Sequence, residues 1–276
     1  MMLRTVVFFC FLVGLTPVFA LGPVPFEELF YKGRAVAFYG ETDTPKHAQV
    51  LQLFKSSKLA ERMAQLTQGT IRLRTNLNIG FESCGKPNAF FDSNRAAIVF
   101  CVEMIELMME QARGDTEVAA KWNREQFART FDGVIWGIFL HELGHAVISL
   151  NRIAITGREE DVADQFAVYY AINFLEPRNI SVVLPTIWFF NRLAKSSVID
   201  AENTEHVKML MADEHSLNDQ RIYNLACWAI GGKSKWGTFA ADYVGLPQER
   251  GDRCAAEYAK LDYGIKSRFK KYFLPR

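Results

Sequence analysis

The sequence predicts an α+β protein: a small N-terminal sheet followed by a mainly helical half. Every segment with strand character lies within residues 34–113, whereas apolar residues recur at helical spacing across residues 116–276. The third observation is residues 131–150 (FDGVIWGIFLHELGHAVISL), which read as one strongly apolar, buried helix. No internal repeat or low-complexity segment divides the chain, so residues 21–276 read as a single domain.

Residues 1–20 form an export signal. Arg4 supplies the positive start, residues 6–18 the apolar stretch, and Val18-Phe19-Ala20 the small residues of a cleavage site after Ala20. The run is shorter than the ~20 residues that span a bilayer. Residues 21–25 follow as an extended linker with two prolines. Residues 34–39 (RAVAFY) are strand-like, and residues 46–67 place Val50, Leu51, Phe54, Leu59, Met63 and Leu66 at the helical period, closed by Gly69. Residues 70–78 alternate Ile71, Leu73 and Leu77 with polar partners, as in a half-buried strand. A cysteine-tethered turn then leads to short strands at 88–91 and 96–102 and a helix through Glu110, broken by Gly114-Asp115. A polar amphipathic helix at 116–130 runs into the apolar helix. Further helices are expected at 161–175, 181–194 with Pro185 in its first turn, 203–211, 217–230 and 252–260.

Lys plus Arg (32) and Asp plus Glu (31) nearly cancel, which leaves no electrostatic footprint for nucleic acid or an anionic membrane. Residues 131–150 have the length of a membrane span, but Asp132, Glu142 and two histidines would be costly in lipid, so no stable membrane insertion is expected. Beyond the signal remain Cys84, Cys101, Cys227 and Cys254. An even count in an exported chain points to disulfides, and of the three possible pairings Cys84–Cys101 and Cys227–Cys254 are the local ones. A structural zinc site would need close C-x-x-C pairs, which the chain does not have.

The apolar helix carries His141, Glu142 and His145 as H-E-x-x-H. Residues four apart share a helix face, so both imidazoles can address one metal ion with Glu142 beside its open position, as in a zinc hydrolase. A core helix with two incidental histidines is the plain alternative. A third ligand decides between them, and the segment REEDVADQFA (residues 158–167) offers one. Glu160 and Asp164 share a face: Glu160 completes a His-His-Glu set, and Asp164 accepts the N–H of a ligating imidazole. Acids at a helix start also answer the helix dipole, which accounts for Glu159, Glu160 and Asp161 but not for Asp164 among Ala163, Phe166 and Ala167.

HELGH followed by E-x-x-A-D resembles the gluzincin metallopeptidases, and the lack of a third histidine at metzincin spacing separates it from those. Asn88-Ala89-Phe90-Phe91 is similar to the N-A-F-W edge strand of thermolysin-like enzymes, which implies that Asn88 and Ala89 bind peptide substrate. The combination of CG-x-x-NAFF, HELGH, GREEDVADQFA and DEHSLNDQRIYN, from about residue 35 to the C-terminus, closely resembles a family of exported bacterial proteins grouped with the metallopeptidases by that motif. The resemblance implies a zincin-like fold, one Zn2+ ion, and an oxyanion-stabilising residue downstream. His215 is the first choice for that role and Tyr223 the second; Arg221 lies in the same block. A helix cap from Ser216, with Asp219 at the third helical position, explains much of the same block. His47 and His206 lie among polar helical residues and read as solvent-exposed. The expected protein is a periplasmic or secreted zinc peptidase acting on peptides or proteins. A zinc-dependent amidase on a cell-wall or other non-protein amide, and a non-catalytic binding protein of the same fold, are the rivals.

Overall fold

The computed structural model describes residues 30–116, 121–196 and 204–275, so the export signal expected at 1–20 and the linker expected at 21–25 lie outside the described residues. Four short strands form one mixed sheet: β1 (Ala35–Tyr39), β2 (Leu77–Glu82), β3 (Ala89–Asp92) and β4 (Ala97–Cys101). Their order is β1-β2-β4-β3, with β1, β2 and β4 parallel and β3 antiparallel to β4. Parallel neighbours need a crossover, and helices α1 (Pro45–Ser56) and α2 (Leu59–Thr70) supply it between β1 and β2. All five residues of β4 are buried, as befits a strand covered on both faces. β3 lies at the edge, so one side of its backbone faces no other strand.

Helix α3 (Glu103–Arg113) follows β4, and then α4 (Arg124–Asn151) crosses the molecule. Asn123 and Gln126 form a reciprocal capping box at its start. It is long and apolar enough to cross a membrane, but 83% of its apolar window is buried inside the protein. Around it pack α5 (Glu159–Tyr170) and α6 (Val183–Ser196), with β3 and β4 on another side. Beyond α7 (Thr204–Ala212), helix α8 (Asn218–Gly231) contacts α5, α6, α9 (Gly237–Val244) and α10 (Cys254–Phe269). The α+β architecture is as the sequence predicts. The cysteines pair as Cys84–Cys101 and Cys227–Cys254, with Cα separations of 5.3 and 4.9 Å.

Several boundaries differ from expectation. The single helix expected at 46–67 is two, because Lys58 takes a left-handed conformation (φ 52°) and turns the chain. The second runs past Gly69 to Thr70. Of the strand expected at 70–78 only the end forms: Ile71 makes an isolated bridge to Phe273, and its apolar partners are buried by packing, not by a ladder. The helix expected at 161–175 is α-helical to Tyr170 and continues as a π-helical turn, Ala171–Leu175. Helix α9 is not foreseen at all, and α10 runs to Phe269 instead of ending near Lys260. Ser216 caps no helix; its hydroxyl donates to Asp161 Oδ1 (2.9 Å). His47 is not exposed as expected but buried in a ring of acids, and the His206 side chain is outside the described residues.

Close helix approach rests on two glycines of α4. A Cβ on Gly137 would sit 1.8 Å from Thr186 Oγ1 of α6, and one on Gly144 3.0 Å from the Ala163 Cα of α5. Gly137→Ala should therefore destabilise the protein by about 1–3 kcal/mol through overpacking. Gly69→Ala, with nothing within 4 Å of the added atom, should be neutral or stabilise by up to about 1 kcal/mol. Denaturant midpoints of the two variants test the contrast.

Candidate metal centre

His141 and His145 stand one turn apart on the buried part of α4, and Glu160 sits near the start of α5, which packs against that turn. The three side chains converge. His141 Nε2 lies 3.0 Å from Glu160 Oε2, His145 Nε2 lies 3.3 Å from Glu160 Oε1, and the two ring nitrogens are 3.2 Å apart. The far nitrogens are also taken: His141 Nδ1 faces Asp164 Oδ1 at 2.8 Å and His145 Nδ1 faces Glu159 Oε1 at 2.8 Å.

With both rings neutral, these contacts set the proton positions. A carboxylate only accepts, so each Nδ1 donates, and in the neutral rings both Nε2 atoms carry lone pairs. Two lone pairs and two carboxylate oxygens then face one another with no donor among them. Such a set could hold a cation at its centre, and His-His-Glu is a donor set that suits zinc. The same acids favour positive charge on the rings themselves. Burial would lower the His141 pKa, but hydrogen bonds to Asp164 and Glu160 outweigh it and push it up to about 9. Glu160 is partly buried, yet three imidazoles hold its carboxyl far below the usual carboxylate range. Positive charge is stabilised here.

Asp164, 6% exposed, is the hub behind the ligands. Arg221 of α8 reaches it with two hydrogen bonds, Nε to Oδ2 at 2.8 Å and Nη2 to Oδ1 at 2.7 Å. The guanidinium also lies 4.0 Å over the Phe190 ring of α6. Despite its burial, Asp164 is held well below the usual carboxylate range by Arg221 and His141. It therefore stays ionised and keeps the His141 Nδ1–H in place.

His215, on the turn between α7 and α8, brings Nε2 to 3.1 Å from Glu160 Oε2, and its Nδ1 lies 3.1 Å from Asp213 Oδ1. With His141 and Glu160 it forms one candidate metal-holding group. Arg158 pins that turn by donating to the Asp213 carbonyl at 2.7 Å, and Ser216 ties it to α5. Glu142 is buried beside the cluster; burial raises its pKa, while the two imidazoles and the nearby Phe91 backbone of β3 pull it down. Tyr223 is exposed and lines neither neighbouring cavity.

Two cavities meet at these residues. An open cleft of about 630 Å³ runs along Asn88–Ser93 past His141, Glu142, His145 and Glu160 to Glu214 and His215. A smaller pocket of about 150 Å³ lies behind Asn88, Ala89, His141 and Glu142; Met104, Leu107, Val183, Phe189, Phe190 and Leu193 are among its apolar walls. The sequence profile of a family described as "Putative metallopeptidase" matches residues 39–264. The chain belongs to this family. The match covers every residue of the cluster and both cavities. No curated protein and no solved structure matches the chain.

In this family member the predicted set His141, Glu142, His145, Glu160, Asp164 and His215 comes together, with Asn88 and Ala89 along the rim. Sequence reasoning missed two contributions. Glu159 reads as a dipole-compensating acid but orients His145, and Arg221, a lesser candidate for a catalytic role, anchors Asp164. The i, i+4 spacing of Glu160 and Asp164 could signal one imidazole partner; nothing in the sequence pairs residue 164 with residue 221. Arg221→Met should destabilise by about 3–5 kcal/mol, because it strands a buried carboxylate. The double variant Arg221→Met/Asp164→Leu should recover part of the loss, and a double-mutant cycle of unfolding free energies reads the coupling.

Proposed function

We propose that the protein is a zinc-dependent peptidase, in which His141, His145 and Glu160 hold the ion and Glu142 is the general base. One observation carries this reading beyond the family: the donor cluster opens into a cleft whose wall is the free edge of β3. An extended peptide can pair with unpaired edge N–H and C=O groups, as a further strand does, while its scissile carbonyl lies over the cluster. A small non-peptide amide would use no such edge. The apolar pocket beside Asn88 and Ala89 takes the side chain next to the scissile bond, which favours a large apolar residue there.

Bound zinc would polarise the attacking water and the carbonyl. The chain's own residues supply the rest. Glu142 takes the proton of the water and returns it to the departing amine nitrogen. His215, with a carboxylate at each ring nitrogen, is held as a donor and stabilises the developing oxyanion. Asp164 and Glu159 keep the two histidine ligands oriented, and Arg221 keeps Asp164 charged. The two disulfides and residues 1–20 support action outside the cytoplasm.

Glu142→Gln should retain about one equivalent of zinc and lose at least roughly 100-fold in kcat against quenched peptides. Full activity of this variant would sink the mechanism, and turnover of peptidoglycan fragments without turnover of peptides or casein would move the chemistry to an amidase. Glu159→Gln should instead weaken metal affinity by about 10–100-fold, read by competition with a chromogenic chelator.

A further inference from the structure

A second charged cluster lies on the other side of the loop that leads into β3. His47, on the first turn of α1, is 8% exposed and has a partner at each ring nitrogen. Nδ1 is 2.6 Å from Asp43 Oδ1, 3.1 Å from Ser83 Oγ and 3.9 Å from Glu103 Oε1, while Nε2 is 3.2 Å from Glu106 Oε1. The Ser83 hydroxyl donates its own proton to Asp43 Oδ1 at 2.8 Å, so the proton between Ser83 and His47 belongs to the ring. Both nitrogens therefore donate, and the ring is an imidazolium. The other charge facing the group is Lys46, whose Nζ lies 2.8 Å from Glu106 Oε1.

The cluster is joined to the substrate strand by a short relay. Glu103, 7% exposed, accepts from the Cys84 N–H (3.0 Å) and the Gly85 N–H (2.8 Å). Cys84 is bonded to Cys101 of β4, and the Cys101 N–H donates to the Asn88 carbonyl at 3.0 Å. Ser83, Cys84 and Gly85 thus approach Asn88 from a segment held by His47 and Glu103 at one end and by β4 at the other. Gly85 has positive φ (75°), a conformation that the two Glu103 hydrogen bonds help to fix.

We propose that His47 is a positioning residue: its imidazolium draws Asp43, Glu103 and Glu106 together, and through Glu103 holds the 83–88 segment so that Asn88 and Ala89 present a fixed edge to an extended peptide. This rests on β3 being the peptide-binding edge. Burial lowers the affinity of His47 for its proton, but Asp43 and the other carboxylates outweigh it and raise its pKa above the usual imidazole value. The clamp is accordingly complete below the ordinary imidazole pKa of about 6.5 and is released as pH rises through the raised folded value. Asp43, His47 and Glu103 stand close enough to hold a metal ion; in this reading the cation between them is the proton on His47.

The test uses the mature full-length protein, its His47→Gln variant and, in case that variant folds poorly, Glu103→Gln, which keeps an acceptor for the Cys84 and Gly85 amides but removes the carboxylate charge that faces His47. Hydrogen exchange at Cys84, Gly85 and Cys101, corrected for intrinsic rates, should show protection in the wild type that falls as pH rises above the ordinary imidazole value. His47→Gln should show the lower protection at every pH, and Glu103→Gln a weaker dependence on pH. With a quenched peptide, KM should rise about three- to tenfold while kcat stays within about twofold and zinc content is unchanged. Equal, pH-independent protection in wild type and variant would overturn the proposal. So would a second equivalent of metal that His47→Gln loses. If protection shifts as expected but the wild type cleaves no peptide, the clamp stands and the peptidase reading fails.

Discussion

The carboxylate of Asp164 is the interaction on which the rest of the site depends. A buried charge is tolerated only where it is paired and fully hydrogen-bonded, and Asp164 meets that condition with groups from two other helices, Arg221 of α8 and His141 of α4. Because Arg221 lies over Phe190 of α6, four helices are tied together at one point. The fork of the guanidinium sets the carboxylate plane, the carboxylate sets the tautomer of His141, and the lone pair of His141 is thereby aimed at Glu160. Stability and chemistry are coupled here: a change that frees Asp164 loosens the core and turns a ligand at once.

Backbone proximity makes this possible. The histidine-bearing turn of α4 sits against α5 because Gly144 leaves room for Ala163, one residue before Asp164. The sheet contributes from the opposite side. Its parallel core is buried, and the one antiparallel strand, β3, is left at the edge above α4. The cleft follows from that topology, with an unpaired backbone edge on one wall and charged side chains on the other. The segment before β3 is held by a disulfide and by the His47 cluster, so the rigid edge depends on electrostatics well away from the metal ligands.

Much of this was legible in the chain itself. The helical period of residues 131–150, the i, i+4 spacings of His141 with His145 and of Glu160 with Asp164, and the shift from strand to helical patterning are local properties, and local properties are written in sequence order. The local cysteine pairings followed the same logic. The failures share one cause. His47, Ser216, Glu159 and Arg221 each have a partner distant in sequence or on another element, and polar residues on a polar helix look alike whether their partner is water or a buried acid. The strand expected at 70–78 failed similarly: alternation records burial on one face, and packing against the C-terminal segment buries Ile71 and Leu73 without a ladder.

The sequence by itself determined the fold class, the helix that presents two imidazoles, the acidic segment that answers them and the two disulfides, because each depends on residues that the backbone period places together. Only the tertiary structure decided that Arg221 secures Asp164, that Glu159 orients His145, that His47 is enclosed by carboxylates and that β3 is the edge beside the cluster. Those outcomes are set by which elements touch. Contact between residues 57 or 80 positions apart arises from packing a whole core, and no short-range pattern encodes it.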